Sequence, residues 1–155
     1  MSEDLAELQA AKAHSAAVRM LGQREHSCAE IRQKLKRKFS ALEISRIDGL
    51  IEEFVERGWL SDQRFAEVLV RSRANRGYGP YYIRRELATK GIDDTQAEGA
   101  LETAEADWCE IAAGVIGRRF PEAGCDLQVW EKAARFLQRR GFSGDVVRKA
   151  LGDRP

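Results

Sequence analysis

One pattern of residues occurs three times along this chain and limits the folds open to it. In each copy, two apolar residues four apart precede a basic residue and a turn: Ile31 and Leu35, Ile83 and Leu87, Ala133 and Leu137. The turns that follow are Lys38-Phe39-Ser40, Lys90-Gly91-Ile92 and Arg140-Gly141-Phe142. A repeat of about 50 residues indicates stacked modules, none of which buries its apolar face well alone. The alternative is one irregular helical domain with a chance likeness.

Helical periodicity accounts for the apolar residues between these turns. One stripe has the spacing i, i+3, i+4, i+7 and i+8, and it consists of Ile47, Leu50, Ile51, Phe54 and Val55, with Gly58 as a stop. Helix starts are predicted by three capping boxes, Ser27 to Glu30, Ser40 to Glu43 and Thr95 to Glu98. No segment shows the sustained period of two that marks a strand. The predicted fold is all-α, an elongated array of three tandem three-helix repeats.

The repeat boundaries are predicted near residues 60 and 107. Residues 1–60 then hold an N-terminal helical extension and repeat 1, residues 61–107 hold repeat 2, and residues 108–155 hold repeat 3. No Gly or Pro occurs between Ala100 and Ala113, so one long helix is expected across the second boundary. The aromatic side chains assigned to the core and to packing between repeats are Phe54, Trp59, Phe65, Trp108, Phe120, Trp130 and Phe136.

The sequence offers no support for membrane or secreted classes. The longest uncharged stretches, such as residues 111–117, fall far short of the about 20 residues that a membrane span requires. The acidic N-terminal residues do not match a secretory signal. Cys28, Cys109 and Cys125 match neither a disulfide framework nor a zinc pattern. We therefore expect a cytoplasmic protein with reduced thiols and no membrane segment.

The sequence also lacks a catalytic constellation. His14 and His26 have no Cys or Asp at a spacing typical of a metal site or a nucleophile–base pair. Gly77-Tyr-Gly-Pro80 is not a phosphate loop, because proline has no N–H to offer. Glu25 and Glu30 are interpreted as ordinary solvated helix carboxylates. We predict no enzymatic activity, no cofactor and no metal site.

Charge is distributed unevenly, although the formal net charge is only +1. Residues 64–90 contain seven basic and two acidic side chains. Residues 93–110, the acidic block, contain seven acidic side chains and no basic one. Such separation of charge is typical of a surface that binds a charged partner.

The basic middle of the chain is interleaved with tyrosines. Guanidinium groups beside tyrosines can hold phosphates and stack on exposed bases or on planar groups of a partner protein. Glu67 is expected to pair with Arg64 and Arg71, and Glu86 with Lys90. The candidate binding residues are Arg71, Arg73, Arg76, Tyr78, Tyr81, Arg84, Arg85 and Lys90. The alternative interpretation is a solvated helix face without a partner.

Two further basic runs occupy the same region of the other repeats. They consist of Arg32, Lys34, Lys36, Arg37 and Lys38 in repeat 1, and of Arg135, Arg139 and Arg140 in repeat 3. Basic residues at equivalent positions favour an extended surface over a pocket. Each run alone is more typical of a solvated helix face.

The motifs of repeat 2 resemble the RecX family of recombination regulators. They are Gly58-Trp-Leu-Ser-Asp-Gln-Arg-Phe-Ala66, Arg71-Ser-Arg73, Gly77-Tyr-Gly-Pro80, Ile83-Arg-Arg-Glu-Leu87 and Lys90-Gly-Ile92. In repeat 1, the motifs that also fit are Arg24-Glu-His-Ser27 and Glu30-Ile-Arg-Gln-Lys-Leu35. The resemblance covers residues 13–151, with a loose match in repeat 3. It departs at Lys38-Phe39-Ser40, where the family usually has a glycine.

The resemblance implies an elongated, all-helical protein that binds the RecA recombinase filament on single-stranded DNA. It also implies that the protein lodges in the filament groove and inhibits ATP hydrolysis, strand exchange and filament growth. Regulation of DNA repair, homologous recombination and the SOS response would follow. The residues that would meet DNA phosphates or an acidic recombinase surface are Arg73, Arg76, Tyr81, Arg84, Arg85 and Lys90. The acidic block would repel DNA or meet basic recombinase patches, and the protein is expected to be a monomer.

Two other functions stay open on the residues alone. Basic short helices are also found in stand-alone DNA-binding modules. The net charge of +1 argues against strong autonomous binding, because affinity for DNA largely tracks the number of neutralised phosphates. The other possibility is a protein-directed adaptor that does not touch nucleic acid.

Overall fold

The protein is described by a computed structural model over residues 2–155, and within that range it forms nine α-helices and no strand. In chain order they are α1 (Glu3–Gln23), α2 (Cys28–Lys38), α3 (Ile44–Glu56), α4 (Asp62–Asn75), α5 (Pro80–Thr89), α6 (Asp94–Ala104), α7 (Trp108–Arg119), α8 (Leu127–Arg139) and α9 (Gly144–Leu151). The all-α prediction is confirmed.

The repeated apolar residues occupy equivalent buried positions. They lie on α2, α5 and α8, and the side chains with no exposed surface are Ile31, Leu35, Ile83, Leu87, Ala133 and Leu137. The apolar residue of each following turn is also buried, namely Phe39, Ile92 and Phe142. Since the same positions are buried in each copy, the sequence repeat is a structural repeat.

The chain divides into two compact units. Unit 1 comprises the described residues up to Ala66 together with Lys90–Ile92. Within it, α1 packs on α2 and α3, and α2 packs on α3. Its core consists of Ala13, Ala16, Ala17, Ile31, Leu35, Phe39, Leu42, Ile47, Ile51, Phe54 and Leu60. The three alanines of α1 allow a close approach of that helix to its neighbours.

Unit 2 comprises Glu67–Thr89 and Asp93–Pro155. Within it, α7 and α8 both pack on α9, and α5 packs on α6. One apolar cluster of this unit consists of Ala112, Val115, Leu137, Phe142 and Val147.

Three helices end with the same glycine motif. The glycines have φ of 75°, 83° and 94°, and they are Gly58 after α3, Gly77 after α4 and Gly141 after α8. In each case the next residue donates its N–H back to a carbonyl of the last helical turn, at 2.9, 3.0 and 3.1 Å. This is the Schellman arrangement, in which a left-handed residue satisfies free carbonyls at a helix end. The stop predicted at Gly58 is confirmed.

Only one of the three predicted capping boxes forms. The Ser27 hydroxyl accepts from the Glu30 N–H at 3.1 Å, and the Glu30 carboxylate accepts from the Ser27 N–H at 3.1 Å. The box at Ser40 is wrong, because α3 begins later, at Ile44, without a side-chain cap. The box at Thr95 is also wrong. The Asp93 carboxylate accepts from the Gln96 N–H at 2.8 Å and starts α6 before Thr95 is reached.

The single helix expected across residues 100–113 is wrong. Helix α6 ends at Ala104, and Glu105 follows in the left-handed conformation with φ of 49°. The Asp107 carboxylate then accepts from the Glu110 N–H at 3.1 Å and caps a new helix, α7. The helix is therefore interrupted without a Gly or a Pro, because Asp107 serves as the N-cap of a new helix.

The assignment of Trp59 to the core is wrong. Its side chain is 42% exposed, whereas Phe54 is fully buried and Phe65 is nearly so. The Trp59 ring stacks on Phe54 with 5.7 Å between centroids, and the Arg57 guanidinium lies 4.9 Å from its centroid. Trp59 thus packs against the unit 1 core at Phe54 and remains partly exposed to solvent.

Candidate binding surface

The eight predicted binding residues do not form one set. Seven belong to unit 2, on α4, on α5 and in the turn that joins them, whereas Lys90 belongs to unit 1. Their surroundings also differ. Some are neutralised by carboxylates, some are packed into turns, and some are exposed without an ion pair.

Arg73 is held by a carboxylate of the same unit. Its Nε lies 2.8 and 2.9 Å from the two carboxylate oxygens of Glu86, and both side chains are largely buried. The hydrogen bond to Glu86 raises the pKa of the Arg73 guanidinium. The expected pair of Glu86 with Lys90 is therefore wrong, and Arg73 joins α4 to α5.

Arg84 also has a carboxylate partner, Glu98 on α6. Its second nitrogen, Nη2, lies 3.3 Å from Oε2 of the same carboxylate. The guanidinium carbon is 5.3 Å from the centroid of the Tyr81 ring. Tyr81 is 54% exposed. Arg84 therefore connects α5 to α6 and supports an aromatic ring that faces solvent.

Lys90 takes part in a buried network around Glu30. Its Nζ lies 3.4 Å from a carboxylate oxygen of Glu30, and its carbonyl accepts from the Ser27 hydroxyl at 2.7 Å. Arg24 donates to the same carboxylate at 2.9 Å. Gly91 completes the joint, because a Cβ built there would lie 2.5 Å from the Ala29 Cβ. The turn Lys90–Ile92 is thus fastened to the start of α2.

The solvated role predicted for Glu30 is wrong. Its side chain is only 7% exposed. Burial raises the pKa of the carboxyl, but hydrogen bonds from Arg24 and from the Ser27 N–H, with the charges of Arg24 and Lys90, bring that pKa down to about 2. Glu30 is therefore ionised at neutral pH and is a structural anion.

His26, next to this network, is also structural. Its ring is buried, with Nδ1 3.0 Å from the Arg24 carbonyl and Nε2 3.3 Å from the Lys34 Nζ. A carbonyl only accepts and an ammonium only donates, so the ring is neutral with its proton on Nδ1. Burial lowers the pKa of His26 and favours the same form.

Tyr78 is packed into a joint between two turns of unit 2. Its ring stacks on Tyr82 at 4.3 Å and lies 4.2 Å from the Arg140 guanidinium. The N–H groups of Gly79 and Tyr81 donate to the carbonyls of Arg140 and Gly141 at 2.7 and 3.0 Å. Its place in this joint leaves Tyr78 less available for stacking than Tyr81.

Three predicted arginines are exposed and form no ion pair with any residue from 2 to 155, namely Arg71, Arg76 and Arg85. Arg76 nonetheless contributes its carbonyl to the turn joint, where it accepts from Arg140 Nη1 at 3.0 Å. Arg64 is paired with Glu25 at 2.6 Å and lies outside this group.

Arg85 lies in an open cleft between α5 and α8. One part of the cleft, of about 380 Å³, is lined by Tyr82, Arg85, Glu86, Thr89 and Arg139, and an adjoining part is about 640 Å³. The Glu86 carboxylate in this lining is the one paired with Arg73. We define the α5–α8 cleft by Arg85, Arg135, Gln138 and Arg139. Arg135 and Arg139, like Arg85, have no ion-pair partner in the described part of the chain.

Arg135 and Arg139 belong to the basic run of repeat 3 that the sequence assigns to an extended surface, but they and Gln138 are absent from the eight candidate binding residues. The signal that points to them is the repeat itself, because Arg85 on α5 and Arg135 on α8 hold equivalent positions in successive copies. What sequence alone does not show is that α5 and α8 place these arginines in one cleft. A guanidinium without a carboxylate can bind an anion without first breaking an ion pair.

A metal site, a reactive thiol and a membrane span each have requirements that can be compared with the described residues. No group of three or more His, Cys, Asp or Glu side chains in that range is placed to hold a metal ion. Burial raises the pKa of the Cys28 thiol to about 11, so it is protonated at neutral pH. None of the helices described is both long enough and apolar enough to cross a membrane.

Comparisons with known proteins agree with the three-helix repeats. Three RecX family profiles match, for the first three-helix domain over residues 13–47, the second over 61–101 and the third over 105–151. The crystal structure of RecX from Lactobacillus salivarius superimposes with a TM-score of 0.80 at 25% identity, covering 92% of this chain and 94% of that one.

Curated relatives agree with this result. Regulatory protein RecX from Stenotrophomonas maltophilia strain K279a is 44% identical over 135 residues, which is 86% of this chain and 82% of the relative. Regulatory protein RecX from Xanthomonas campestris pv. campestris strain B100 is 43% identical over the same length, with the same coverage of both chains. The chain belongs to the RecX family of regulatory proteins.

Proposed function

We propose that this protein binds the RecA filament on single-stranded DNA and inhibits its ATP hydrolysis, strand exchange and growth. The observation that carries the proposal is the 44% identity to a curated Regulatory protein RecX over most of both chains. We propose RecA as the partner because the motifs of repeat 2 resemble those of the RecX family, which regulates this recombinase. We further propose that the protein acts as a monomer in the cytoplasm.

Contacts with the filament are proposed to centre on the α5–α8 cleft. Within the described residues its arginines form no ion pair, and the Glu86 carboxylate in its lining is paired with Arg73. Arg84 and Lys90 are also paired. Arg71, Arg76 and Tyr81 are exposed in the same unit and extend the proposed surface. Tyr78, Arg73 and Arg84 would then position this surface rather than bind the partner directly, and Lys90 would serve the fold of unit 1.

Inhibition requires more than attachment to the filament. A ligand shifts a conformational equilibrium only if it binds one conformation better than the other. We propose that the α5–α8 cleft binds anionic groups whose spacing matches a filament conformation that hydrolyses ATP poorly.

The first experiment is a titration of the protein into a single-stranded-DNA-dependent RecA ATPase assay. The test variant neutralises the cleft with Arg85→Gln, Arg135→Gln and Arg139→Gln. We expect half-maximal inhibition at a roughly tenfold higher concentration, because a loss near 1.4 kcal/mol of binding free energy is tenfold in affinity.

The control variant removes the same charge from exposed ion pairs of unit 2, with Arg148→Gln, Lys149→Gln and Arg154→Gln. We expect its inhibition to match the unmodified protein, because such pairs contribute little. Equal inhibition by the cleft variant would refute the assignment of this surface. Absence of inhibition by the unmodified protein would refute the function.

The second candidate function is a stand-alone DNA-binding module, and the unpaired arginines of the α5–α8 cleft favour it. Fluorescence anisotropy on the same DNA without RecA, at two salt concentrations, separates the two functions. A filament regulator lowers ATP hydrolysis at concentrations too low to coat the DNA. A DNA-binding module lowers it only as the free DNA becomes saturated, with steep salt dependence. A protein-directed adaptor would bind RecA equally well with or without DNA.

A further inference from the structure

Besides the α5–α8 cleft of unit 2, the structure has a basic cleft in unit 1, between α1 and α2. It has a volume of about 320 Å³, is open to solvent, and is lined by Ala11, Lys12, Ser15, Arg19 and Lys38. The first four residues lie on one face of α1, and Lys38 is the last residue of α2. We call it the α1–α2 cleft. It shares no residue with the predicted binding set.

The cations of this cleft lack the partners that other cations of unit 1 have. Within the described part of the chain, the arginines of unit 1 with a carboxylate partner are Arg24, Arg32, Arg46, Arg57 and Arg64. Those without one are Arg19, in the cleft, and Arg37, next to Lys38. Lys12 and Lys38 also form no ion pair in that range, and no carboxylate lines the cleft. The positive charge here is therefore uncompensated.

The helix dipole explains only part of this charge. Lys36, Arg37 and Lys38 form the last turn of α2, where the negative end of the dipole favours cations by about 0.3–1 kcal/mol each. Lys12 and Arg19 lie well inside α1, where the dipole has no comparable effect. Their convergence with Lys38 on one cleft thus needs another explanation, and an anionic ligand provides one.

The lining indicates the chemistry of that ligand. A guanidinium matches two phosphate oxygens, lysines add point charges, and the Ser15 hydroxyl can donate a further hydrogen bond. The small side chain of Ala11 leaves room for a ligand. The lining residues include no aromatic ring on which a base could stack. An isolated phosphate gains little from exposed cations in water, whereas a chain of phosphates recruits several cations and releases counterions. We propose that the α1–α2 cleft binds the phosphodiester backbone of single-stranded DNA.

This inference does not rest on the proposed function, because the test uses DNA alone. Fluorescence anisotropy would follow binding of the full-length protein to a labelled oligothymidine over a series of salt concentrations. The test variant carries Lys12→Gln, Arg19→Gln and Lys38→Gln. All three side chains are exposed and glutamine is a good helix former, so the fold should be kept, which circular dichroism verifies.

The control variant also removes three positive charges from unit 1, but from exposed ion pairs, with Arg32→Gln, Arg46→Gln and Arg57→Gln. For the test variant we expect roughly tenfold weaker binding at low salt and a salt slope reduced by about 2, since each lost contact with single-stranded DNA removes about 0.7. The control should keep the slope of the unmodified protein. Equal affinities and slopes for the two variants would overturn the proposal.

Two further experiments distinguish a DNA backbone from a small polyphosphate and from an acidic protein surface. Inorganic tripolyphosphate at the same phosphate concentration should not displace the oligothymidine, and efficient displacement would overturn the assignment to a nucleic-acid backbone. The RecA ATPase assay is run with the same variants. If the test variant binds DNA normally but no longer inhibits, the cleft meets an acidic protein surface and the DNA proposal is overturned. DNA binding that is weaker for the test variant than for the control variant supports the proposal whether or not inhibition persists.

Discussion

At the scale of single residues, the side chains that look chemically useful in the sequence are mostly structural. Glu30 and His26 are buried, with every polar contact made inside unit 1. Arg73, Arg84 and Lys90 are paired with carboxylates 13, 14 and 60 residues away in the chain. Residue spacing predicts only ion pairs within one helix. These three pairs join different helices and turns, so spacing along the chain does not reveal them.

Replacing Glu30 by Gln should destabilise the protein by roughly 2 kcal/mol at pH 7. The carboxyl has a pKa of about 2 in the fold and an ordinary pKa of 4.5. The stabilisation is therefore complete above about pH 5 and is lost as the pH falls toward 2. Solvent screening reduces it, since Arg24 and Lys90 are 50% and 38% exposed.

Urea unfolding followed by circular dichroism at several pH values measures this effect. The glutamine can still accept from the Ser27 N–H, so the loss reports mainly the charge. The difference between the two proteins should shrink below pH 4. Glu53→Gln, at an exposed pair with Arg57, serves as control and should cost under about 1 kcal/mol. A pH-independent cost for Glu30→Gln would contradict the assignment of Glu30 as a buried anion.

At the scale of helices and turns, the fold depends on tight glycine joints as well as on apolar stripes. The turn before α5 meets the turn after α8 through backbone hydrogen bonds. There is no room at this joint for a side chain, because a Cβ at Gly79 would lie 2.5 Å from the Gly141 carbonyl oxygen. The sequence shows the glycine, but it does not show that the glycine is required by a backbone from another repeat.

Gly79→Ala should therefore destabilise unit 2 by roughly 2–3 kcal/mol, because the contacted atoms are backbone and cannot move aside. Gly117→Ala is the matched control. Gly117 lies within α7 with no atom within 4 Å of its Cβ position, so alanine should stabilise that helix by up to about 1 kcal/mol. Thermal unfolding by circular dichroism gives both values. Equal effects of the two substitutions would show that the joint is not tight.

At the scale of the whole molecule, the architecture could be predicted from the sequence and the binding surface only in part. The repeated pairs such as Ile83 and Leu87 are buried wherever they occur, so period alone identifies three similar modules. The boundaries near residues 60 and 107 stay a prediction. Arg85 could be nominated from its charge. Its place on one surface with Arg135 and Arg139 could be suggested from their equivalent positions in the repeats. The cleft that the three arginines share could not, since it depends on the packing of α5 and α8.

The net charge of +1 conceals the concentrated negative charge of the acidic block, and this charge leads to a further prediction. Six of its seven carboxylates are exposed and have no ion pair within residues 2–155. Asp94, Glu102 and Glu110 are three of these six, and none of the three caps a helix as Asp93 and Asp107 do. We expect this charge to weaken binding to free DNA, because unscreened like charges repel within a Debye length of about 10 Å at 0.1 M salt. Neutralising all three as Asp94→Asn, Glu102→Gln and Glu110→Gln should tighten oligothymidine binding by roughly threefold to tenfold at low salt.

The control for this charge change is a variant with three exposed, unpaired carboxylates neutralised in unit 1, Glu3→Gln, Glu52→Gln and Glu56→Gln. Both variants gain the same charge, so a larger gain for the acidic block locates the repulsion in unit 2. The advantage should vanish near 1 M salt, where the Debye length is about 3 Å. Equal gains would mean that only total charge matters. Normal DNA binding with lost ATPase inhibition would mean that the block meets a basic surface of the recombinase.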